Sequence, residues 1–91
     1  MSTSPPPALK YVYIVQQASY PSSGEGGDEI LAVYSRLDDA NQKAKSHIDA
    51  EYAEPEDCEE GQDENGCFWW SAADVGEGDA VRVYVVRWEV L

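Results

Sequence analysis

Two segments of this chain are apolar on both sides of an extended strand, and this feature limits the folds open to it. The first is 9–16 (LKYVYIVQ) and the second is 80–90 (AVRVYVVRWEV). Alternation along the first segment places Tyr11 and Tyr13 on one side and Val12 on the other. Strands that need cover on both faces lie inside a sheet. We therefore expect the first and last strands to be central.

A helical period appears between these two segments. Apolar residues recur every three or four positions from Leu37 to Tyr52, and charged residues take the opposite side. Ser35, with Asp38 three residues later, predicts a capped start to the helix. Pro55 is expected to end it, because the residue before a proline avoids the helical region.

Two shorter segments complete the predicted sheet. Residues 29–34 (EILAVY) and 67–71 (CFWWS) are rich in the residue types that favour strands. The order is then β-β-α-β-β. It predicts an α+β fold with a four-stranded sheet, one helix packed on one face, and strands 1 and 4 in the centre. A chain of 91 residues has material for one core only.

Two polar segments are expected to lie outside the core. Residues 1–8 (MSTSPPPA) contain three consecutive prolines and predict a flexible tail, which leaves 9–91 as the single domain. Residues 54–66 (EPEDCEEGQDENG) are highly charged and lack aromatic side chains, so they predict an exposed acidic loop.

The net charge of -12 restricts the partners of this chain. Nucleic acids and anionic membranes are bound by Lys and Arg, so we expect neither as a direct partner and expect a basic protein instead. The predicted topology brings the first connection and the acidic loop to one end of the sheet. The residues expected to bind the partner there are Glu25, Asp28, Glu29, Glu54, Glu56, Asp57, Glu59, Glu60, Asp63 and Glu64.

No positively charged start leads into a long apolar run in this sequence. The pattern predicts neither a secretory signal nor a membrane anchor, and we expect a cytoplasmic protein, with the nucleus as an alternative.

The sequence contains many aromatic residues, and one helix can cover only some of them. A single helix covers one face of a sheet, so part of the aromatic set should remain on the uncovered side. Tyr11, Tyr13, Trp69 and Trp88 are the residues predicted to form a dimer face there.

The sequence contains no motif that indicates catalysis or a bound cofactor. The acidic loop does not fit the EF-hand template, because Cys67 falls where the final Glu is needed. Cys58, Cys67 and the single histidine, His47, are too few and too widely spaced for a usual zinc site. We expect no enzyme, no cofactor and no metal. A bond between the two cysteines remains open at this stage.

The segments YVYIV, EILAVYSRLDDAN and VRVYVVRWEV resemble those of a group of small, uncharacterised fungal proteins. In that group a strand, a loop, an E-I-x-x-V-Y-S-x-L-x-D-A-N segment, an acidic insert and a closing strand follow one another. The resemblance implies the β-β-α-β-β order and no known activity.

These observations favour a non-enzymatic protein-interaction module. It would associate with itself through the aromatic face and present its acidic end to a basic partner. Two alternatives stay open: a domain that binds a small ligand or a divalent cation, and an acidic mimic of nucleic acid.

Overall fold

The computed structural model of the protein describes residues 10–21, 24, 26–52, 57–75 and 79–90. The predicted tail at 1–8 lies outside these residues, as does Pro55. Within them the chain forms five strands and one helix, which follow in the order β1 (Lys10–Tyr20), β2 (Gly27–Tyr34), α1 (Leu37–Glu51), β3 (Cys58–Gln62), β4 (Phe68–Ala72) and β5 (Ala80–Val90).

The strands form one antiparallel sheet in the order β2-β1-β5-β4-β3. The first and last strands pair along their whole length, from Lys10 opposite Val90 to Tyr20 opposite Ala80. β5 is therefore the middle strand and β1 lies beside it. The predicted α+β class and the central position of the first and last strands are confirmed.

The sheet has five strands, so the prediction of four was wrong. The additional strand, β3, lies inside the 54–66 segment that was expected to be a loop. Its sequence, CEEGQ, contains no aromatic or β-branched residue, so strand propensity does not predict it. It forms because a tight turn returns the chain alongside β4, where backbone groups of the two strands pair in antiparallel register.

That turn is built by the side chain of Asp63. Its carboxylate accepts hydrogen bonds from the backbone N–H of Asn65 at 2.8 Å and of Cys67 at 2.9 Å. Gly66 has a φ of +80°, in the left-handed region that glycine adopts without strain. The sequence DENG therefore closes the β3–β4 hairpin through local bonds, which is a usual role for aspartate and glycine.

The helix and this hairpin are joined by Asn41. Its side-chain amide donates to the Gly66 carbonyl at 2.9 Å, and its oxygen accepts from the Phe68 backbone N–H at 3.0 Å. The residue is buried, with 9% of its surface exposed. A buried amide that meets two backbone groups fixes the position of the hairpin on α1.

The core lies between α1 and one face of the sheet. Ala40, Ala44 and Ile48 are buried, as the helical period predicts, and the two alanines allow the helix to lie close to the strands. The residues that pack with them from the sheet are Val15, Phe68, Trp70, Ala72, Val81, Val83 and Val85.

The predicted helix cap was wrong. Arg36 occupies the N-cap position, and no side-chain hydrogen bond caps this end of α1 among the described residues. Ser35 lies one residue too early to take that role. Asp38 and Asp39 in the first turn instead provide negative charge next to the positive end of the helix dipole.

Replacing Asn41 with alanine should lower the free energy of unfolding by about 2 kcal/mol, because the Gly66 carbonyl and the Phe68 N–H lose their partners in a buried place. Urea denaturation followed by tryptophan fluorescence measures this change. Gln42→Ala, at the exposed neighbouring position, is the control and should leave stability nearly unchanged. Equal midpoints for the two variants would contradict the structural role of Asn41.

Candidate functional site

The surface of the sheet opposite α1 is the most unusual feature of the molecule, and it is called the open face here. Residues that lie opposite each other in paired strands project to the same side of a sheet. The register therefore assigns each side chain to the helix side or to the open face. The large side chains of the open face are Val12, Ile14, Tyr20, Ile30, Val33, Trp69, Arg82, Tyr84, Val86, Trp88 and Val90.

All of the strongly exposed large apolar side chains among the described residues belong to this face. They are Tyr20 at 57%, Ile30 at 60%, Val33 at 55%, Trp88 at 57% and Val90 at 45% exposed. The helix side shows the opposite pattern, with a buried core. An apolar surface that spans several strands is typical of an interaction site.

The four residues predicted as a dimer face do not share one surface. Trp69 and Trp88 lie on the open face, since they pair with Tyr84 and Val12. Tyr11 and Tyr13 pair with Glu89 and Arg87 and lie on the helix side, where Tyr13 packs against the core. The Arg87 guanidinium lies 4.3 Å from the centre of the Tyr11 ring. Alternation separates the two faces of a strand but does not say which one the helix covers.

Sequence reasoning missed most of the exposed residues of the open face. Ile30 and Val33 are three positions apart and would lie on opposite faces of a regular strand. A register shift places Ala32 opposite Val15 but Ile30 opposite Gln16, so Leu31 is an extra residue and both Ile30 and Val33 reach the open face. A bulge of this kind leaves no clear signal in the sequence.

One part of the open face combines aromatic rings with the Arg82 guanidinium. The Arg82 guanidinium lies 5.2 Å from the centre of the Tyr84 ring and 5.9 Å from that of Trp69. The Trp69 ring also passes over Gly61, where a Cβ atom would lie only 3.1 Å from it. Burial raises the pKa of Tyr84, and the carboxylate of Asp28 and the phenol of Tyr20 add to this, while Arg82 opposes it.

The register places Asp28 and Glu59 of the predicted acidic end in one row near the Tyr20 end of the sheet, but at its two opposite edges. Glu25, Glu54 and Glu56 lie outside the described residues. Asp28 and Glu29 lie on β2, one edge of the sheet, whereas β3 at the opposite edge carries the larger group. This second group, called the acidic edge here, consists of the exposed residues Asp57, Glu59, Glu60, Asp63 and Glu64. β2 and β3 are four strand spacings apart, or roughly 19 Å.

A groove of about 340 Å³ lies on the other side of the sheet, between α1 and β3. Its floor is formed by Phe68 and Trp70, which are already covered and only 4% and 5% exposed. The Tyr52 ring stacks on Trp70 at 5.4 Å, and the Lys45 ammonium lies 5.2 Å from the Phe68 ring centre. The groove therefore offers an apolar ligand little surface to cover.

His47 takes part in a polar cluster near the end of α1. Gln17 from β1 accepts a hydrogen bond from the Tyr52 hydroxyl at 2.7 Å, and its oxygen lies 2.8 Å from His47 Nε2. Burial raises the pKa of Tyr52, and the nearby carboxylates of Glu51 and Glu29 raise it further. Across the part of the chain that the structure describes, no three His, Cys, Asp or Glu residues are grouped to hold a metal ion.

The two cysteines are free, Cys58 exposed and Cys67 buried. Cys58 lies opposite Ala72, and Ala72 lies five positions after Cys67 in the chain. The two cysteines are therefore separated by roughly 16 Å along the hairpin. A disulfide needs Cα atoms within about 7 Å, so this fold does not allow the bond. Burial raises the pKa of Cys67 and Asp63 raises it further, while Arg87 lowers it.

Only one of the two thiols should react quickly with a thiol reagent at neutral pH. Cys58 is accessible, whereas Cys67 is buried and its raised pKa reduces the thiolate that reacts. A colorimetric thiol assay should therefore count one fast group in the native protein and two in urea. The Cys58→Ser variant identifies the fast group, since it should lose the rapid phase. Two fast thiols in the native state would contradict the burial of Cys67.

Comparison of the chain with protein-family models, with curated proteins and with solved structures finds no match. The resemblance to small fungal proteins therefore stays an expectation. Among the described residues, no helix has both the length and the apolar character needed to cross a bilayer.

Proposed function

We propose that this protein is a non-enzymatic interaction domain that forms a homodimer through its open face. The observation that carries the proposal is the placement of all five strongly exposed large apolar side chains of the described residues on that one face. Leaving such side chains in water forgoes about 25 cal/mol for each Å² of apolar surface that could be buried. A second copy presents the same apolar surface and can cover it.

The size of the open face suits a dimer. The five strands are eight residues long on average. With about 3.3 Å per residue and about 4.8 Å between strands, they give a face of about 600 Å². Two copies would together bury about 1,200 Å², which is the lower limit for a stable protein interface. Two sheets that pack face to face in this way form a sandwich with a second apolar core.

The edges of the sheet are less suited to association than its face. β2 contains the bulge at Leu31, which disrupts the regular hydrogen-bonding positions of that edge. β3 is only five residues long and carries Glu59 and Glu60. Short, charged or bulged edge strands are the usual means by which proteins prevent pairing with other chains.

The charge of the protein opposes the dimer. Two copies with a net charge of -12 repel each other, and salt screens this repulsion. We therefore expect the dimer to become tighter as the salt concentration rises.

Changing Val33 to glutamate should raise the dissociation constant of the dimer at least tenfold. The change places a carboxylate from each copy in the apolar interface, at a cost of more than about 1.4 kcal/mol. Sedimentation equilibrium in about 0.5 M salt measures the association. The wild type should approach twice the monomer mass of 10.1 kDa. Gln42→Glu adds the same charge on the exposed side of α1 and should dimerise like the wild type.

A monomeric wild type at high micromolar concentration would exclude the proposal. Equal weakening by both glutamate variants would show that net charge, and not the open face, controls association.

The acidic edge supports a second role, the binding of a basic protein partner. Asp57, Glu59, Glu60, Asp63 and Glu64 are all exposed, and they follow one free edge of the sheet. A field of one sign along an edge speeds the approach of an oppositely charged partner.

A lysine-rich peptide should bind this edge in low salt and lose most of its affinity at about 0.5 M salt, where the screening length falls to roughly 4 Å. Neutralising Asp57, Glu59, Glu60 and Glu64 to Gln and Asn should weaken binding, and it leaves the Asp63 carboxylate that builds the turn unchanged. The control neutralises Asp38, Asp39, Asp49 and Glu51 of α1, which removes the same charge from another surface. Equal loss in the two variants, measured by fluorescence anisotropy, would show that only net charge matters.

A further inference from the structure

The open face is divided into rows of different polarity. One row crosses all five strands near the Tyr20 end of the sheet. In strand order it consists of Asp28, Ala18, Arg82, Ser71 and Glu59, each opposite the next. It has a carboxylate at each edge and one guanidinium in the middle, and it is called the charged row here.

The rows beyond the charged row are mostly apolar. The next one places Ile30, Tyr84 and Trp69 side by side, separated on β1 by Gln16. It is followed by Val33, Ile14 and Val86, then by Val12 opposite Trp88, and at the far end by Lys10 opposite Val90. The apolar surface is thus centred near Ile14 and Val86, about halfway along β1.

We propose that the second copy docks with its strands reversed, so that the charged row of each copy lies over the Trp88 and Lys10 end of the other. The two-fold axis of this dimer lies between the two faces and is perpendicular to the strands. It passes near Ile14 and Val86. The inference rests on the proposed homodimer and adds the orientation of the two copies.

The reversed orientation follows from the charges. With an axis parallel to the strands, the charged row of one copy would lie over the charged row of the other, and four carboxylates and two guanidinium groups would be buried together. Like charges brought together in an interface cost several kcal/mol. In the reversed orientation the charged row faces a region where Lys10 is the one charged side chain among the described residues, and Lys10 lies on the strand next to that of Asp28.

Reversal also brings complementary groups of the two copies together. Arg82 already contacts the rings of Tyr84 and Trp69 within its own copy. The partner's Trp88 would approach this group from the opposite sheet, and its indole is more than half exposed in one copy alone. Guanidinium groups that lose water next to aromatic rings form favourable cation–π contacts.

The ends of the two central strands allow a direct test. Tyr20 and Val90 lie on the open face at opposite ends of the β1–β5 pair, ten positions apart, or roughly 33 Å within one copy. Tyr20→Cys and Val90→Cys are made separately in a Cys58→Ser background, because Cys58 is exposed. Each variant alone, and then an equal mixture, is treated with a short bis-maleimide cross-linker. Sedimentation is measured for all three samples.

The reversed dimer predicts cross-linked dimer in the mixture and only background in each variant alone. In that orientation Tyr20 of one copy approaches Val90 of the other, while like positions are more than about 25 Å apart. Adding Val33→Glu to both variants should return the mixture to background. This control separates contact through the open face from chance collision.

Two results overturn the proposal, and they are distinguishable. Monomers in sedimentation, with no cross-linking in any sample, remove the proposed homodimer and the orientation with it. Dimers that cross-link in the single-variant samples, or that fail to cross-link in the mixture, keep the homodimer and exclude the reversed orientation.

Discussion

The structure depends on a mismatch between one helix and a sheet of five strands. A helix with its side chains is about 10 Å wide, whereas five strands extend over roughly 24 Å. α1 lies against β2, β1, β5 and β4 but not β3, and the described residues provide no second layer for the other face. The buried core, the exposed open face and the groove beside α1 all follow from this difference in width.

The face that α1 covers is closely packed. Ala40 and Ala44 let α1 lie close to the strands, so the short side chains Val15, Val83 and Val85 can fill the space beneath it. Asn41 adds two buried hydrogen bonds to the hairpin, which carries Phe68 and Trp70 into the same core. The helix therefore organises both the centre of the sheet and the β3–β4 hairpin beside it.

Sequence patterns predicted the parts of this fold that local periodicity determines. The stripe from Leu37 to Tyr52 placed the helix and its buried side, and the apolar 80–90 segment matches β5. β3 was missed because its sequence, CEEGQ, is held in the sheet by pairing and by the Asp63 turn rather than by strand propensity. The sequence DENG could have indicated the hairpin, since aspartate and glycine flank its turn.

The candidate site was predicted only in part, because it depends on register. Trp69 and Trp88 belong to the open face as expected, but Tyr11 and Tyr13 do not. The choice between faces is made by the helix, which packs against the side that carries Val15. The bulge at Leu31 then changes the face of every later residue in β2. Neither the choice of the covered face nor the bulge can be deduced from the alternation along a single strand.

The pairing of β1 with β5 also determines how the chain can reach its native state. Lys10 pairs with Val90, so the central ladder closes a loop that contains nearly every other described residue. Contacts between residues so distant in sequence make folding slow, in the range of milliseconds to seconds. During synthesis β1, β2 and α1 emerge well before β5, and until then β1 has one unpaired side in the middle of an unfinished sheet. A newly made chain therefore exposes the edge of β1 to other chains for as long as β5 has not been made, which is the stage when a chaperone would be most useful.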